Sequence, residues 1–254
     1  MIGIYKEYWQ SIPVLVVVDS AKKEAPLPTI TYFHGFTSAK EHNLPLAFLM
    51  AEKGYRVLLP DAIFHGERNG DLPSKEMEAR FFAIVEQNLK DLAIIYQQVT
   101  ADNLIEENRF GIAGTSMGGI TTAAALTQYD WIEVAAILMG SPNITEYAQS
   151  LVENMKKSGV DIPYSDKQIQ GIYHSLEKID LSKQVDKLNE RPLFFWHGEN
   201  DPVVPFDHAY RFYEHMVPHY KNPENIRFLR EVKRGHKVSR FAIVETVKWF
   251  ELQL

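Results

Sequence analysis

The sequence predicts one α/β domain built on a mainly parallel, twisted sheet with helices on both faces. Three observations lead there. Short apolar runs alternate with segments of helical periodicity along the chain. Most of those runs are continuously apolar rather than alternating, as strands buried on both faces are. A chain of 254 residues can bury one large core and still carry modest insertions.

Taken in order, Val14–Val18 reads as a buried strand. Thr29–Phe33 reads as a second, and it stops at His34-Gly35. Leu44, Ala47, Phe48 and Ala51 recur at helical spacing until Gly54. Arg56–Pro60 is a third strand, ending at Asp61, and the Gly-, Asn- and Asp-rich stretch 64–73 is a loop. Ser74 is placed to cap a long helix whose apolar face is Phe81, Val85, Leu89, Leu92, Tyr96 and Val99. Arg109–Ala113 is a strand that runs into Gly114, and a helix of small residues follows from Met117 towards Tyr129. Val134–Met139 and Pro192–Trp196 are further strands, the latter ending at His197-Gly198. Ala209, Phe212, Tyr213 and Met216 mark a helix, Ile226–Val232 the last strand, and Phe241, Val244, Val247 and Phe250 one face of the last helix.

One segment breaks this rhythm. About fifty residues separate the strands ending at Met139 and starting at Pro192, where a simple connection needs far fewer. Ile144, Tyr147, Ala148, Leu151, Val152 and Met155 form one apolar stripe, Gly159 and Pro163 interrupt it, and Ile169, Ile172, Tyr173 and Leu176 begin another. The expectation is a single domain, 1–254, with a small helical cap insertion at about 143–190 lying over the strand ends. Extra packing at the domain edge is the plainer alternative.

Composition narrows the partners. Hydrophobic residues make up 45% and charged residues 24%, and the net charge is -6. Nucleic acid and anionic membrane both favour basic surfaces, so neither is expected, and a small-molecule partner fits better. The chain has no cysteine, which removes disulfides, a thiolate nucleophile and Cys-ligated zinc. Residues 1–19 lack the order of a signal peptide, and Val14–Val18 is far too short to span a bilayer. A cytoplasmic protein is the expectation. Nothing indicates a homo-oligomer.

The chemistry concentrates in loops that follow strands. Gly114-Thr115-Ser116-Met117-Gly118 is a G-x-S-x-G motif between a predicted strand and a predicted helix, the context in which it carries a nucleophile. A serine at the tip of so sharp a turn sits in a strained backbone, and bulk two residues to either side would crowd it. The turn also places Ser116 at the positive end of a helix. A serine hydroxyl needs a base. Of nine histidines, His236 follows the last strand and Gly235, so it reaches the same sheet edge as Ser116. The base in turn needs an acceptor to fix its tautomer. Asp201, in a loop stiffened by Pro202 and Pro205, supplies it, with Glu199 as rival. The order Ser116, Asp201, His236 differs from those of chymotrypsin and subtilisin. Backbone N–H groups of Met117 and Phe36 are the expected oxyanion donors, with Thr37 as a fallback for Phe36.

Together these residues carry a resemblance. His34-Gly35-Phe36, Asp61 with His65-Gly66, Gly114 to Gly118, His197-Gly198 through Asp201-Pro202-Val203-Val204-Pro205, and Gly235-His236 resemble the α/β-hydrolase superfamily. The likeness is to the branch holding dienelactone hydrolases and the catalytic domain of prolyl oligopeptidases, and within it to small bacterial esterases of the YjfP and YitV type. It covers nearly the whole chain. It implies an α/β-hydrolase fold and a serine esterase acting on carboxylic esters, without a cofactor. Reaction through an acyl-enzyme is the expectation from the Ser-His-Asp set, and short-chain esters are expected because the helical insertion would restrict the pocket. Dienelactone hydrolases use a cysteine nucleophile, which this chain lacks. Neither a propeller before the catalytic part nor the gating arrangement of the oligopeptidases is expected. A peptidase or amidase with the same triad is the alternative, and a non-catalytic binding protein on this fold a further one.

Other signals are weaker. Asp61, His65, Glu67 and Arg68 read as a cluster that fixes its loop, though it lies on the catalytic side. His215 and His219 have the spacing of helical metal ligands, but Pro218 disturbs that helix and no H-E-x-x-H motif is completed, so no metal site is expected. Phe36, and Tyr147 or Tyr173 from the insertion, are candidates to wall a pocket.

Overall fold

A computed structural model describes residues 1–159, 162 and 164–254. The chain forms one eight-stranded sheet in the order β1-β2-β4-β3-β5-β6-β7-β8. In chain order the strands are β1 (Ile2–Trp9), β2 (Ile12–Asp19), β3 (Leu27–Phe33), β4 (Arg56–Pro60), β5 (Ile105–Thr115), β6 (Val134–Leu138), β7 (Leu193–Gly198) and β8 (Ile226–Glu231). β1 pairs antiparallel with β2, and β2 antiparallel with β4. Every pairing from β4 to β8 is parallel. This is the α/β-hydrolase architecture, an open sheet rather than a barrel.

The helices follow the apolar faces of the sequence. They are α1 (Leu44–Glu52), α2 (Ser74–Ala79), α3 (Phe81–Ala101), α4 (Met117–Gln128), α5 (Ile144–Lys157), α6 (Asp166–Glu177), α7 (Phe206–Met216) and α8 (Arg240–Gln253). One core lies under α1 and α8, where Leu46, Met50, Trp249 and Phe250 meet Val57, Phe194 and Trp196. The other lies under α3, α4, α7 and the insertion, where Leu92, Ile120 and Phe212 meet Phe33, Ile112 and Phe195. Burying each such side chain contributes about 1.5–3 kcal/mol, so the two cores fix the sheet as a rigid platform.

Several local expectations need correction. β1 was not foreseen, because at this edge strand residues are only part-buried, roughly every second one, and Lys6 and Glu7 mask the alternation. Ser74 caps no helix. It is the first residue of the short α2, and the chain breaks at Arg80 before α3 begins. The Ala79 carbonyl beside that break accepts the Tyr164 hydroxyl at 2.9 Å. β5 starts earlier than Arg109, at Ile105, with positive φ at Glu107 and Asn108 and a register shift opposite Leu27 and Thr29. In α8, Phe241 is exposed rather than on the apolar face. A strict spacing of three drifts around a 3.6-residue helix, so Phe250 and Phe241 end on different sides.

The insertion is helical. α5 buries Ile144, Tyr147 and Ala148, and α6 buries Ile169 and Leu176. Ser165 opens α6 with a capping box: its side chain accepts from Gln168 N, and the Gln168 side chain accepts from Ser165 N. Tyr147 packs its ring against Phe81 and Phe82 of α3, and Ser175 donates to Glu86 at 2.7 Å. Pro163, expected to interrupt the stripe, lies outside the described residues.

The order of strands positions the site. From β3 the chain steps to β4 on one side, then crosses back to β5 on the other and continues outward. Connections therefore leave β3 and β5 in opposite directions and open a crevice at their carboxyl ends. Ligands bind at such a switch point in open α/β sheets. The two loops at this point carry His34–Thr37 and Ser116.

Candidate active site

Ser116 sits between β5 and α4 with φ 55° and ψ -114°, a conformation that L-residues avoid. The surrounding packing holds it there. A Cβ on Gly114 would overlap the Gly118 carbonyl, and one on Gly118 would overlap the carbonyl of Phe33. Only glycine at both positions lets the elbow close against β3. Ser116 N donates to Leu138 O at 2.9 Å, tying the elbow to β6. Beside it, the Tyr32 hydroxyl and Thr115 Oγ1 are hydrogen-bonded.

His236 and Asp201 reach this elbow from the loops after β8 and β7. His236 Nε2 lies 2.8 Å from Ser116 Oγ, and His236 Nδ1 lies 2.6 Å from Asp201 Oδ2. Asp201 Oδ1 accepts from Val203 N at 2.8 Å and Val204 N at 3.0 Å. Burial alone would raise the Asp201 pKa. Hydrogen bonds from His197, His236 and the Val203 amide outweigh it and hold the carboxyl well below the usual carboxylate range. An ionised Asp201 fixes the proton of His236 on Nδ1 and leaves Nε2 as the acceptor facing the Ser116 hydroxyl. The Asp201 side chain is fully buried, whereas that of His236 is 19% exposed.

The two loops brace each other. Asn200 N donates to Arg234 O at 2.8 Å, and Glu199 N to Glu231 O at 3.1 Å. Ser239 Oγ caps α8 through Ala242 N and also donates to Glu231 at 2.6 Å. Glu199, the rival acid, is turned away and paired with Arg230. His197, given no role from the sequence, is buried below Asp201. Its Nε2 lies 3.0 Å from Val204 O and 3.3 Å from Asp201 Oδ2. The His-Gly dipeptide at the end of a strand was the signal that could have assigned it.

The loop expected to carry an oxyanion donor follows β3. A methyl built on Gly35 would stand 3.6 Å from Ser116 Cβ, so this loop passes directly over Ser116. Phe36 N and Met117 N donate to no protein group among the described residues. Thr37 N, the fallback, is already committed to His65 Nε2 at 3.1 Å.

A buried ionic cluster supports that loop. Asp61 accepts from Lys40 N at 3.0 Å, Lys40 Nζ at 2.5 Å and Glu67 N at 3.0 Å. Lys40 is fully buried, and its ammonium also contacts Glu67 at 2.6 Å and Glu41 at 2.9 Å. Hydrogen bonds from Lys40, Lys6 and Tyr8 pull the Glu67 carboxyl down to about 2. Arg68 bonds both Asp61 O and the Asp91 carboxylate. The Asp61, Glu67 and Arg68 side chains thus fix their loop, as read from the sequence. Lys40 was missed, because Ala39-Lys40-Glu41 looks like a solvated helix start and the paired carboxylate lies 21 residues on.

Aromatic rings extend from Phe36. It packs on Phe81 at 5.5 Å, which packs on Tyr147 at 6.0 Å, and Tyr147 reaches His208 at 6.4 Å. Burial, with the Asp201 charge nearby, pushes the Tyr147 phenol up to about 12. A pocket of about 290 Å³ opens beside His236, lined by Asn43, Pro45, Leu46, Val238 and Ile243 among others. Among the described residues, no three His, Cys, Asp or Glu side chains group as metal ligands, and His219 Nδ1 bonds His215 O at 2.9 Å. Among them too, no helix is long and apolar enough to cross a membrane.

Comparisons with known proteins agree with this fold. The model of the Prolyl oligopeptidase family matches residues 47–251. The chain is 41% identical over 255 residues, 100% of each chain, to the protein named "Putative esterase YitV" of Bacillus subtilis (strain 168). It is 28% identical over 211 residues, 83% of each chain, to esterase YjfP of Escherichia coli (strain K12). Among solved structures, TT1662 from Thermus thermophilus superposes with a TM-score of 0.77 at 19% identity, covering 99% of this chain and 98% of that one.

Proposed function

This chain is a serine hydrolase that belongs to the prolyl oligopeptidase family, and from that premise we propose that it cleaves carboxylic esters, short-chain ones best, with Ser116 as nucleophile, His236 as general base and acid, and Asp201 as the acid that orients it. The supporting observation is the continuous relay from Ser116 Oγ through His236 to Asp201, at 2.8 and 2.6 Å.

Ser116 Oγ attacks the ester carbonyl carbon while His236 Nε2 takes the hydroxyl proton. The carbonyl oxygen becomes an oxyanion held by Phe36 N and Met117 N, next to the positive end of α4. The imidazolium, stabilised by ionised Asp201, gives its proton to the leaving alkoxide. Water then attacks the acyl-enzyme as His236 accepts its proton, and His236 returns that proton to Ser116 Oγ as the carboxylic acid departs. The full cycle needs no redox partner or cofactor. The short-chain preference is part of the proposal, on the ground that a helical insertion between β6 and β7 restricts the acyl pocket.

Hydrolysis of p-nitrophenyl acetate by wild type and Ser116→Ala tests the reading, with a fluorophosphonate probe as a second arm. Loss of turnover and of labelling in the variant supports it, and equal rates would overturn it. The family assignment also favours a second reading, hydrolysis of short peptides by the same three residues. Efficient peptide cleavage with negligible ester turnover would select it. A non-catalytic binding protein would leave Ser116 unlabelled.

A further inference from the structure

We propose that His65 is a positioning residue for the oxyanion hole, its Nε2 holding the Gly35–Ser38 turn in the form that presents the Phe36 amide to the reacting carbonyl; this rests on the serine-hydrolase reading of the same site.

The turn closes through Ser38 N donating to Gly35 O at 3.1 Å, with Thr37 in its third position at φ +60°. A positive φ there is the mark of a type II turn, which ordinarily takes glycine or asparagine at that place. Threonine is β-branched and poorly suited to it. The local sequence therefore does not enforce this turn, and something outside it must. The contact available is Thr37 N–H to His65 Nε2 at 3.1 Å. His65 Nδ1 lies 2.9 Å from Ile63 O and donates to it, which leaves Nε2 as the acceptor. Releasing Thr37 N–H would let the Phe36–Thr37 peptide flip towards the type I form that threonine tolerates, and the adjoining Gly35–Phe36 amide would be re-aimed.

A second bond runs the opposite way. Ala62 N donates to His34 Nε2 at 3.0 Å, and His34 Nδ1 donates to Gly35 O at 2.8 Å. The oxyanion loop and the loop after β4 thus exchange a backbone N–H for an imidazole nitrogen in both directions. The rings stand 5.2 Å apart, and the Phe36 ring meets His65 edge-on at 5.4 Å. The β4 loop is itself immobilised by the Asp61–Lys40 pair. Rigid support thus passes from the buried ion pair through His65 to a backbone donor, with no contact between His65 and substrate required.

Three substitutions separate positioning from general support. His65→Gln places an amide oxygen near the former Nε2 and keeps an acceptor for Thr37. His65→Asn places its amide near the former Nδ1, so it keeps the Ile63 contact and abandons Thr37. His65→Leu keeps neither. Steady-state hydrolysis of p-nitrophenyl acetate is measured alongside the inhibition constant of phenylboronic acid, which forms a tetrahedral anionic adduct with the nucleophile. Losing an oxyanion donor outright costs about 10²–10³ in kcat, so a misaimed one is expected to cost roughly 10–100-fold. The loss should fall in kcat with little change in KM, appear in the Asn and Leu variants, be matched by weaker boronate binding, and be largely restored in the Gln variant. An Asn variant with wild-type kcat, or a Gln variant as impaired as Asn, overturns the proposal even where the Leu variant does not fold. Activity of Ser116→Ala equal to wild type in the same series would instead mark failure of the underlying reading.

Discussion

Replacing Asp201 with asparagine changes one atom of the carboxylate, and the surrounding hydrogen bonds dictate which way the new amide must face. Oδ1 accepts two backbone N–H groups, from Val203 and Val204, and neither can turn away. The amide oxygen of Asn must therefore occupy that side, which points its NH2 at His236 Nδ1. The imidazole can adapt only by moving its own proton to Nε2. His197 loses little, because its Nε2 still has the Val204 carbonyl at 3.0 Å. His236 would then present a donor to Ser116, and the base would be gone with the packing intact. A wrong-tautomer substitution of this kind lowers kcat by about 10⁴ in a serine protease, equivalent to about 5 kcal/mol of transition-state stabilisation. The assay is kcat/KM for p-nitrophenyl acetate at neutral pH, with Ser116→Ala setting the floor and circular dichroism confirming the fold. Glu199→Gln serves as the matched comparison, since Glu199 faces Arg230 rather than the base, and should stay near wild type. A loss under tenfold in Asp201→Asn, or an equal loss in Glu199→Gln, would refute this role for the acid.

Further expectations concern the support around the site. Lys40→Met leaves the fully buried Asp61 without its counter-charge; breaking a buried pair typically costs 3–5 kcal/mol, and the remaining Lys40 and Glu67 amides put this one at about 3 kcal/mol, readable in urea unfolding, where a change under about 1 kcal/mol would contradict the reasoning. Burial depresses His34 to about 4 from its ordinary 6.5, so the unfolded chain binds a proton that the folded chain refuses; stability contributed by neutral His34 is complete above about pH 6.5 and declines as pH falls towards 4. Urea midpoints at pH 7, 5.5 and 4.5 should show a shallower decline in His34→Gln than in wild type, and parallel slopes would rule this source out.

The sequence legibly carried whatever depends on near neighbours. Largely apolar runs marked all six parallel strands, β3 to β8, and the elbow glycines marked Ser116, because a strand-to-helix turn is a property of a few consecutive residues. Chain order then picked out His236 and Asp201. The family match over residues 47–251 takes in the Ser116, Asp201 and His236 motifs but not His34-Gly35-Phe36. Features that eluded the sequence depended on partners far along the chain. β1 is a strand only because β2 offers it a ladder, Glu199 and Asp201 differ only in the direction each faces, and Lys40 is buried only because Asp61 waits for it. Thr37 in its positive-φ turn shows the same division most clearly. Its identity argues against the conformation, and the imidazole 28 residues later that accepts its N–H becomes a neighbour only once the sheet has brought the ends of β3 and β4 together. Periodicity and turn chemistry are local energies and can be read from residue types, whereas hydrogen bonds and charge pairs across the fold are set by distance, which packing alone decides.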